Sequence, residues 1–214
     1  MRFASRLLPA LAHLLALLWL VPLAAYAQGQ APVLLVVGDS ISAGYGLAPG
    51  QGWVDLLGQR LQKEGYRYRV VNASISGDTT AGGRERMPSL LKQHAPAVVV
   101  IELGGNDALR GGDLAAAEAN LDAMVAMAKS AGAKPMLLGM QLPPNYGAVY
   151  VRRFSAVFEN VAKSRHVPLV PYLFEGFGDD LSLFQPDRIH PLAMAEPRIV
   201  DNVWPTLSAM LVRR

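Results

Sequence analysis

Pro32-Val33-Leu34-Leu35-Val36-Val37-Gly38-Asp39-Ser40 carries five consecutive apolar residues and then turns abruptly to glycine and small polar residues. An unbroken apolar run of that length suits a strand buried on both faces, as in a parallel sheet. Ala97 to Leu103 repeats the pattern around Val98-Val99-Val100-Ile101. Tyr68 to Asn72, Pro135 to Gly139 and Val167 to Val170 supply three further strands. Helical spacing falls between them. Trp53, Leu56, Leu57 and Leu61 mark one helix, and Val151, Phe154, Phe158 and Val161 another. Leu114, Ala117, Leu121, Val125 and Ala128 mark a third, with Asp113 placed as its cap. A last helix is predicted from about Leu192 to Leu211. A helix over Thr79 to Gln93 has a weaker signal, because Gly82, Gly83 and Pro88 lower its propensity. Strands alternating with helices predict the α/β class, as a three-layer α/β/α sandwich around a five-stranded parallel sheet. In such sheets ligands bind beyond the carboxyl ends of the strands. Functional residues are therefore expected after Val37, Asn72, Leu103 and Gly139.

The first residues read differently. Met1 to Arg6 holds two arginines, Leu7 to Leu23 is almost wholly apolar, and Ala25-Tyr26-Ala27 ends the run. These are the three parts of a secretory signal peptide over residues 1–27, with cleavage after Ala27. A membrane anchor is the competing reading, since the run is about long enough to span a bilayer. Pro9, His13 and Pro22 interrupt it, and the small residues fit a cleavage site. Cleavage would leave 187 of the 214 residues, one domain over 28–214, periplasmic or secreted and without a stable membrane span. It would also remove Arg2 and Arg6, taking the formal charge from +3 to +1. No basic stripe then argues for nucleic acid. With no cysteine, thiolate metal sites and disulfides are excluded. No internal repeat or linker divides the chain.

Three polar clusters stand where the topology expects them, Gly38-Asp39-Ser40-Ile41-Ser42, Asn72-Ala73-Ser74-Ile75-Ser76-Gly77-Asp78-Thr79 and Glu102-Leu103-Gly104-Gly105-Asn106-Asp107, and a fourth, Asp187-Arg188-Ile189-His190, stands just before the last helix. A serine hydroxyl becomes a nucleophile when a base takes its proton. His190 is the candidate base for Ser40. His94 and His166 end predicted helices, away from the strand exits. Asp187 lies three residues before His190, and a tight turn puts both side chains on one side. A carboxylate there fixes the imidazole tautomer and stabilises the imidazolium. Acyl transfer also needs donors aimed at the developing oxyanion. The Ser40 and Gly77 N–H groups and the Asn106 amide are the candidates. Taken singly, Gly77 could be an ordinary turn and Asn106 a loop cap. Ser42 replaces the last glycine of the Gly-x-Ser-x-Gly elbow, so that motif is absent. Nor does Gly44-x-Gly46 have dinucleotide spacing. Asp39, Asp78 and Asp107 read as backbone-bonding turn residues, so no metal is assigned.

At these clusters the chain resembles the SGNH (GDSL-type) hydrolases, over essentially all of residues 33–211. Ser40 falls on the family's catalytic serine, Gly77 and Asn106 on its oxyanion donors, and His190 with Asp187 on the rest of its triad. The segments Ala-Ser-Ile-Ser-Gly-Asp-Thr and Glu-Leu-Gly-Gly-Asn-Asp-Ala-Leu-Arg-Gly are similar to a periplasmic branch containing thioesterases, lysophospholipases and arylesterases. Arg188 departs from that branch, which often has glycine there. The resemblance implies a flavodoxin-like strand order and hydrolysis of small-molecule acyl esters and thioesters through an acyl-serine, with no cofactor. A carbohydrate deacetylase and a non-catalytic acyl-binding protein are the alternatives. Leu142 and Tyr146, in the segment Gln141 to Gly147 after the fourth strand, are expected to line the acyl chain.

Overall fold

The computed structural model describes residues 31–213. The signal peptide expected over residues 1–27 lies outside the described residues. Five strands form one parallel sheet in the order β2-β1-β3-β4-β5, which is the flavodoxin-like order. They are β1 (Val33–Gly38), β2 (Arg69–Asn72), β3 (Val98–Glu102), β4 (Lys134–Leu138) and β5 (Leu169–Val170). β1 and β3 are central and wholly buried, as their apolar runs require. β2 is an edge strand with exposed ends, which explains why its sequence is more mixed.

The helices are α1 (Ser40–Ala43), α2 (Trp53–Lys63), α3 (Thr80–His94), α4 (Gly105–Leu109), α5 (Leu114–Ser130), α6 (Ala148–Arg165) and α7 (Glu196–Ser208). α2 packs with α7, while α3, α5 and α6 pack in a row, giving one helical layer for each face of the sheet. The core runs through all three layers and includes Trp53, Leu57, Leu61, Leu121, Met124, Phe154 and Phe158. No helix among the described residues is long and apolar enough to cross a membrane.

Two local expectations differ from the structure. α3 is continuous through Pro88 despite its weak propensity. Its Gly83 lies so close to Leu103 and Met124 that a Cβ would collide with Leu103. The glycine that weakens the helix is therefore what lets it press against the β3 exit. The final helix begins at Glu196, not Leu192, because Ala193 to Ala195 are held in a turn closed by Ala195 N–H on the Leu192 carbonyl. The other strands match to within one residue at each end, apart from β5, which keeps only its last two residues. α6 extends three residues before and four beyond the residues that marked it, and the short helices α1 and α4 carry no apolar period of their own.

Candidate active site

Ser40 is the first residue of α1, directly beyond β1. Asp39 caps that turn, its Oδ1 accepting the Ile41 N–H at 3.0 Å. Ser40 Oγ lies 2.8 Å from His190 Nε2, and His190 Nδ1 lies 2.7 Å from Asp187 Oδ2. The other Asp187 oxygen accepts the N–H groups of Ile189 at 2.9 Å and His190 at 3.1 Å. Burial pushes the Asp187 carboxyl up, but those two bonds and the His190 ring outweigh it and hold the group below the ordinary carboxylate value. It therefore stays ionised beside the imidazole.

The segment bearing His190 is fastened on several sides. Phe184 and Pro191 form an antiparallel bridge, and Gln185 N–H donates to the His190 carbonyl at 2.7 Å. Gln185 Nε2 donates to the carbonyls of Tyr45 at 2.8 Å and Pro191 at 3.1 Å. Tyr45, 53% exposed, lays its ring 4.5 Å from the imidazole. Arg188 sits at φ +62°, a left-handed conformation that glycine adopts freely. This is the position where the resembling branch often has glycine, so the turn and not the side chain sets the preference.

The second and third strand exits close on the first. Ile75 N–H donates to the Gly38 carbonyl at 3.0 Å, and Asn72 Nδ2 to the Ser42 carbonyl at 2.7 Å. Arg86 of α3 pairs with Asp78 at 2.8 Å and also donates to the carbonyls of Ala73 and Gly38. Gly77 in that loop has φ +81°. Asn106 Nδ2 donates to Asp39 Oδ2 at 2.9 Å, so its amide is drawn toward the Ser40 turn and does not cap its own loop. Ser40, Gly77, Asn106, Asp187 and His190 thus stand at one edge of the sheet. His94 ends α3 and His166 ends α6, each just before a strand begins, so both lie at the opposite edge.

Of the three aspartates read as turn residues, Asp39 and Asp78 do bond backbone within their own turns. Asp107 instead reaches another segment, accepting the Thr80 N–H at 2.9 Å and the Thr80 hydroxyl at 2.6 Å. Behind Ser40 lies a buried pair that local pattern did not reveal. Glu102 Oε2 accepts the Ser42 hydroxyl at 2.7 Å and the Asp39 N–H at 3.4 Å. Burial, and then the Asp39 charge, push the Glu102 carboxyl well above the usual range. Burial raises Asp39 to about 6, against its bonds from Ile41 and Asn106 and the nearby His190. The signal for this pair is register: Gly38 and Glu102 are partners across β1 and β3, and a Cβ on Gly38 would strike Ser42 and Glu102.

Beyond β4, Leu142 is buried in the core and Tyr146 is half-buried. The Tyr146 hydroxyl donates to the Leu109 carbonyl at 3.2 Å. Tyr150 donates to the carbonyls of Ala108 and Gly112, bracing the same loop.

Chemically, this arrangement can move a proton from a serine hydroxyl to an imidazole and place amide donors beside the serine. Comparison with known proteins agrees in kind. Residues 36–194 match the GDSL-like lipase/acylhydrolase family. The chain is 56% identical to "Esterase TesA" of Pseudomonas aeruginosa over 184 residues, 86% of this chain and 92% of that one. It is 43% identical to "Thioesterase 1/protease 1/lysophospholipase L1" of Escherichia coli over 176 residues, 82% of this chain and 83% of that one. The crystal structure of a psychrotrophic esterase, EstA from Pseudoalteromonas sp., inhibited by monoethylphosphonate, superposes with a TM-score of 0.79. It is 35% identical and covers 83% of this chain and 97% of its own.

Proposed function

The chain belongs to the GDSL-like lipase/acylhydrolase family, and on that premise we propose that it is an exported serine esterase and thioesterase working through an acyl enzyme on Ser40. The observation that carries this reading is the continuous hydrogen-bonded row from Ser40 through His190 to Asp187, at 2.8 and 2.7 Å. A passive acyl-binding protein has no use for such a row.

His190 Nε2 takes the Ser40 proton as Oγ attacks the acyl carbonyl. Ionised Asp187 holds the Nδ1–H tautomer and stabilises the imidazolium. The carbonyl oxygen, now negative, accepts hydrogen bonds from the N–H groups of Ser40 and Gly77 and from Asn106 Nδ2. The Asn106 amide has two hydrogens, and Asp39 engages one, leaving the other for the oxyanion. His190 then protonates the departing alcohol or thiol. Water, deprotonated by the same imidazole, releases the acid and restores Ser40. Tyr146 supplies apolar surface for the acyl chain beyond β4, while Leu142, buried in the core, acts on that surface by packing. The relatives named esterase and thioesterase/lysophospholipase support acyl esters and thioesters as the substrate class.

Ser40→Ala, in a folded preparation, should lower p-nitrophenyl ester turnover by several orders of magnitude, leaving only roughly 10³–10⁴-fold acceleration over water. A fluorophosphonate should label Ser40 stoichiometrically. Turnover near wild type in verified Ser40→Ala would end this reading. Export is tested separately, by sequencing the N-terminus of the accumulated protein, which should begin at Gln28.

A further inference from the structure

We propose that Arg110 is a positioning residue for the oxyanion site, joining its two halves by holding the Gly77 carbonyl and the Asn106 carboxamide oxygen on one guanidinium. The inference rests on the reading above, in which Gly77 and Asn106 donate to the oxyanion. Arg110 Nη2 lies 3.2 Å from the Gly77 carbonyl and 3.4 Å from Asn106 Oδ1. A Cβ added to Gly77 would sit 3.7 Å from the same nitrogen, so the guanidinium lies directly against that residue. Gly77 comes from the loop after β2, and Asn106 from α4, after β3. Arg110 hydrogen-bonds to both.

An exposed arginine ordinarily stays solvated or pairs with a carboxylate. Here its nitrogen ends on two neutral oxygens, and each belongs to a residue whose N–H groups are assigned to the same task. The consequence for Asn106 is specific. A carboxamide can be flipped end for end with little steric change, and a flip would aim oxygen instead of N–H at the oxyanion. Asp39, on one side, accepts only from the amide nitrogen while it is ionised. Arg110, on the other, donates only to the amide oxygen. An anion and a cation thus select the same orientation. The base of the Arg110 side chain is itself held. It stands one helical turn after Asn106, with its N–H 3.3 Å from the Asn106 carbonyl. The preceding carbonyls of Ala108 and Leu109 are bound by Tyr150 and Tyr146.

The test compares wild type with Arg110→Ala, Arg110→Lys, Asn106→Ala and the double Arg110→Ala/Asn106→Ala variant on a soluble p-nitrophenyl ester, with thermal unfolding of each. Arg110→Ala should lower kcat on the order of tenfold, less than the roughly 10²–10³ expected for removing a donor outright. KM should change less than about twofold, since the donors act in the transition state. Tm should not move, because the side chain is exposed. Lysine should recover only part of the loss, because a point-like ammonium does not reproduce the planar fork. In the Asn106→Ala background the Arg110→Ala effect should shrink clearly, because half of what Arg110 holds is gone. An unchanged kcat, a loss confined to KM, full rescue by lysine or undiminished loss in the double variant would overturn the role of Arg110. Ser40→Ala, run alongside, keeps the two readings apart: if it stays active, the serine mechanism itself fails, whatever Arg110 does.

Discussion

Glu196→Gln probes the buried carboxyl that joins the segment after His190 to the start of α2. Glu196 is 1% exposed, and its Oε2 accepts the Trp53 N–H at 2.7 Å, at a helix start that Gly52 leaves without a side-chain cap. Burial raises its pKa from 4.5 to about 7, against that bond. Between those values the folded chain keeps a proton that the unfolded chain has released. The associated stability is therefore complete below about pH 4.5 and is lost as pH rises through about 7. At about 1.36 kcal/mol per pKa unit, the interval corresponds to about 3 kcal/mol. Glutamine keeps the acceptor for Trp53 and has no proton to lose. The variant should match wild type near pH 4 and exceed it by up to about 3 kcal/mol near pH 8. For a domain of this size that is a Tm gap of roughly 6–12 °C. Urea unfolding of both proteins at intervals from pH 4 to pH 8 measures it directly. Parallel stability profiles would refute the assignment, because the difference between the proteins must itself depend on pH.

Other substitutions probe the site. Asn106→Ala should lower kcat by roughly 10²–10³, or about 3–4 kcal/mol, with little change in KM; a rise in KM alone would make Asn106 a substrate-binding residue. Leu142→Ala and Tyr146→Ala should change the preferred acyl length by a several-fold factor per carbon, since one buried methylene is worth about 0.8 kcal/mol; parallel kcat/KM profiles on short, medium and long p-nitrophenyl esters would remove that loop from the acyl site. Arg188→Gly should unfold at a Tm close to wild type, while Arg188→Val should lose about 1–2 kcal/mol at a left-handed position that β-branched residues resist; equal stability of the two variants would show that φ at residue 188 is unimportant.

Much of the fold was legible because its signals are local. The apolar runs at Val33 to Val37 and Val98 to Ile101 became the two wholly buried central strands. Asp187-x-x-His190 was legible for the same reason, since a carboxylate three residues from an imidazole needs only a turn to meet it. Groups joined across the fold were not. Arg110 meets Gly77 across 33 residues, Ser42 meets Glu102 across 60, and Gln185 meets Tyr45 across 140. No periodicity records those pairings. Tyr146 shows the same limit in another form: its place after β4 was legible, but the partner of its hydroxyl, Leu109, was not.

The positions where local rules failed also share a place. Propensity argued against glycine in α3, yet Gly83 is what admits Leu103 at the β3 exit. Burial argued against carboxylates beside a strand end, yet Asp39 and Glu102 are both buried there, joined by the Asp39 N–H on Glu102. Steric preference argued against a left-handed arginine, yet Arg188 adopts that conformation within the turn that sets Asp187 against His190. Each choice works against stability at its own position, and each lies at the carboxyl edge of the sheet or on the loop that closes over it. At Asp39, Glu102 and Arg188 an apolar or glycine replacement is available, so a chain selected for packing alone would remove those conflicts first. Their concentration around Ser40 is therefore independent support for placing the chemistry there, since it comes from the cost of the site and not from the identity of its nucleophile.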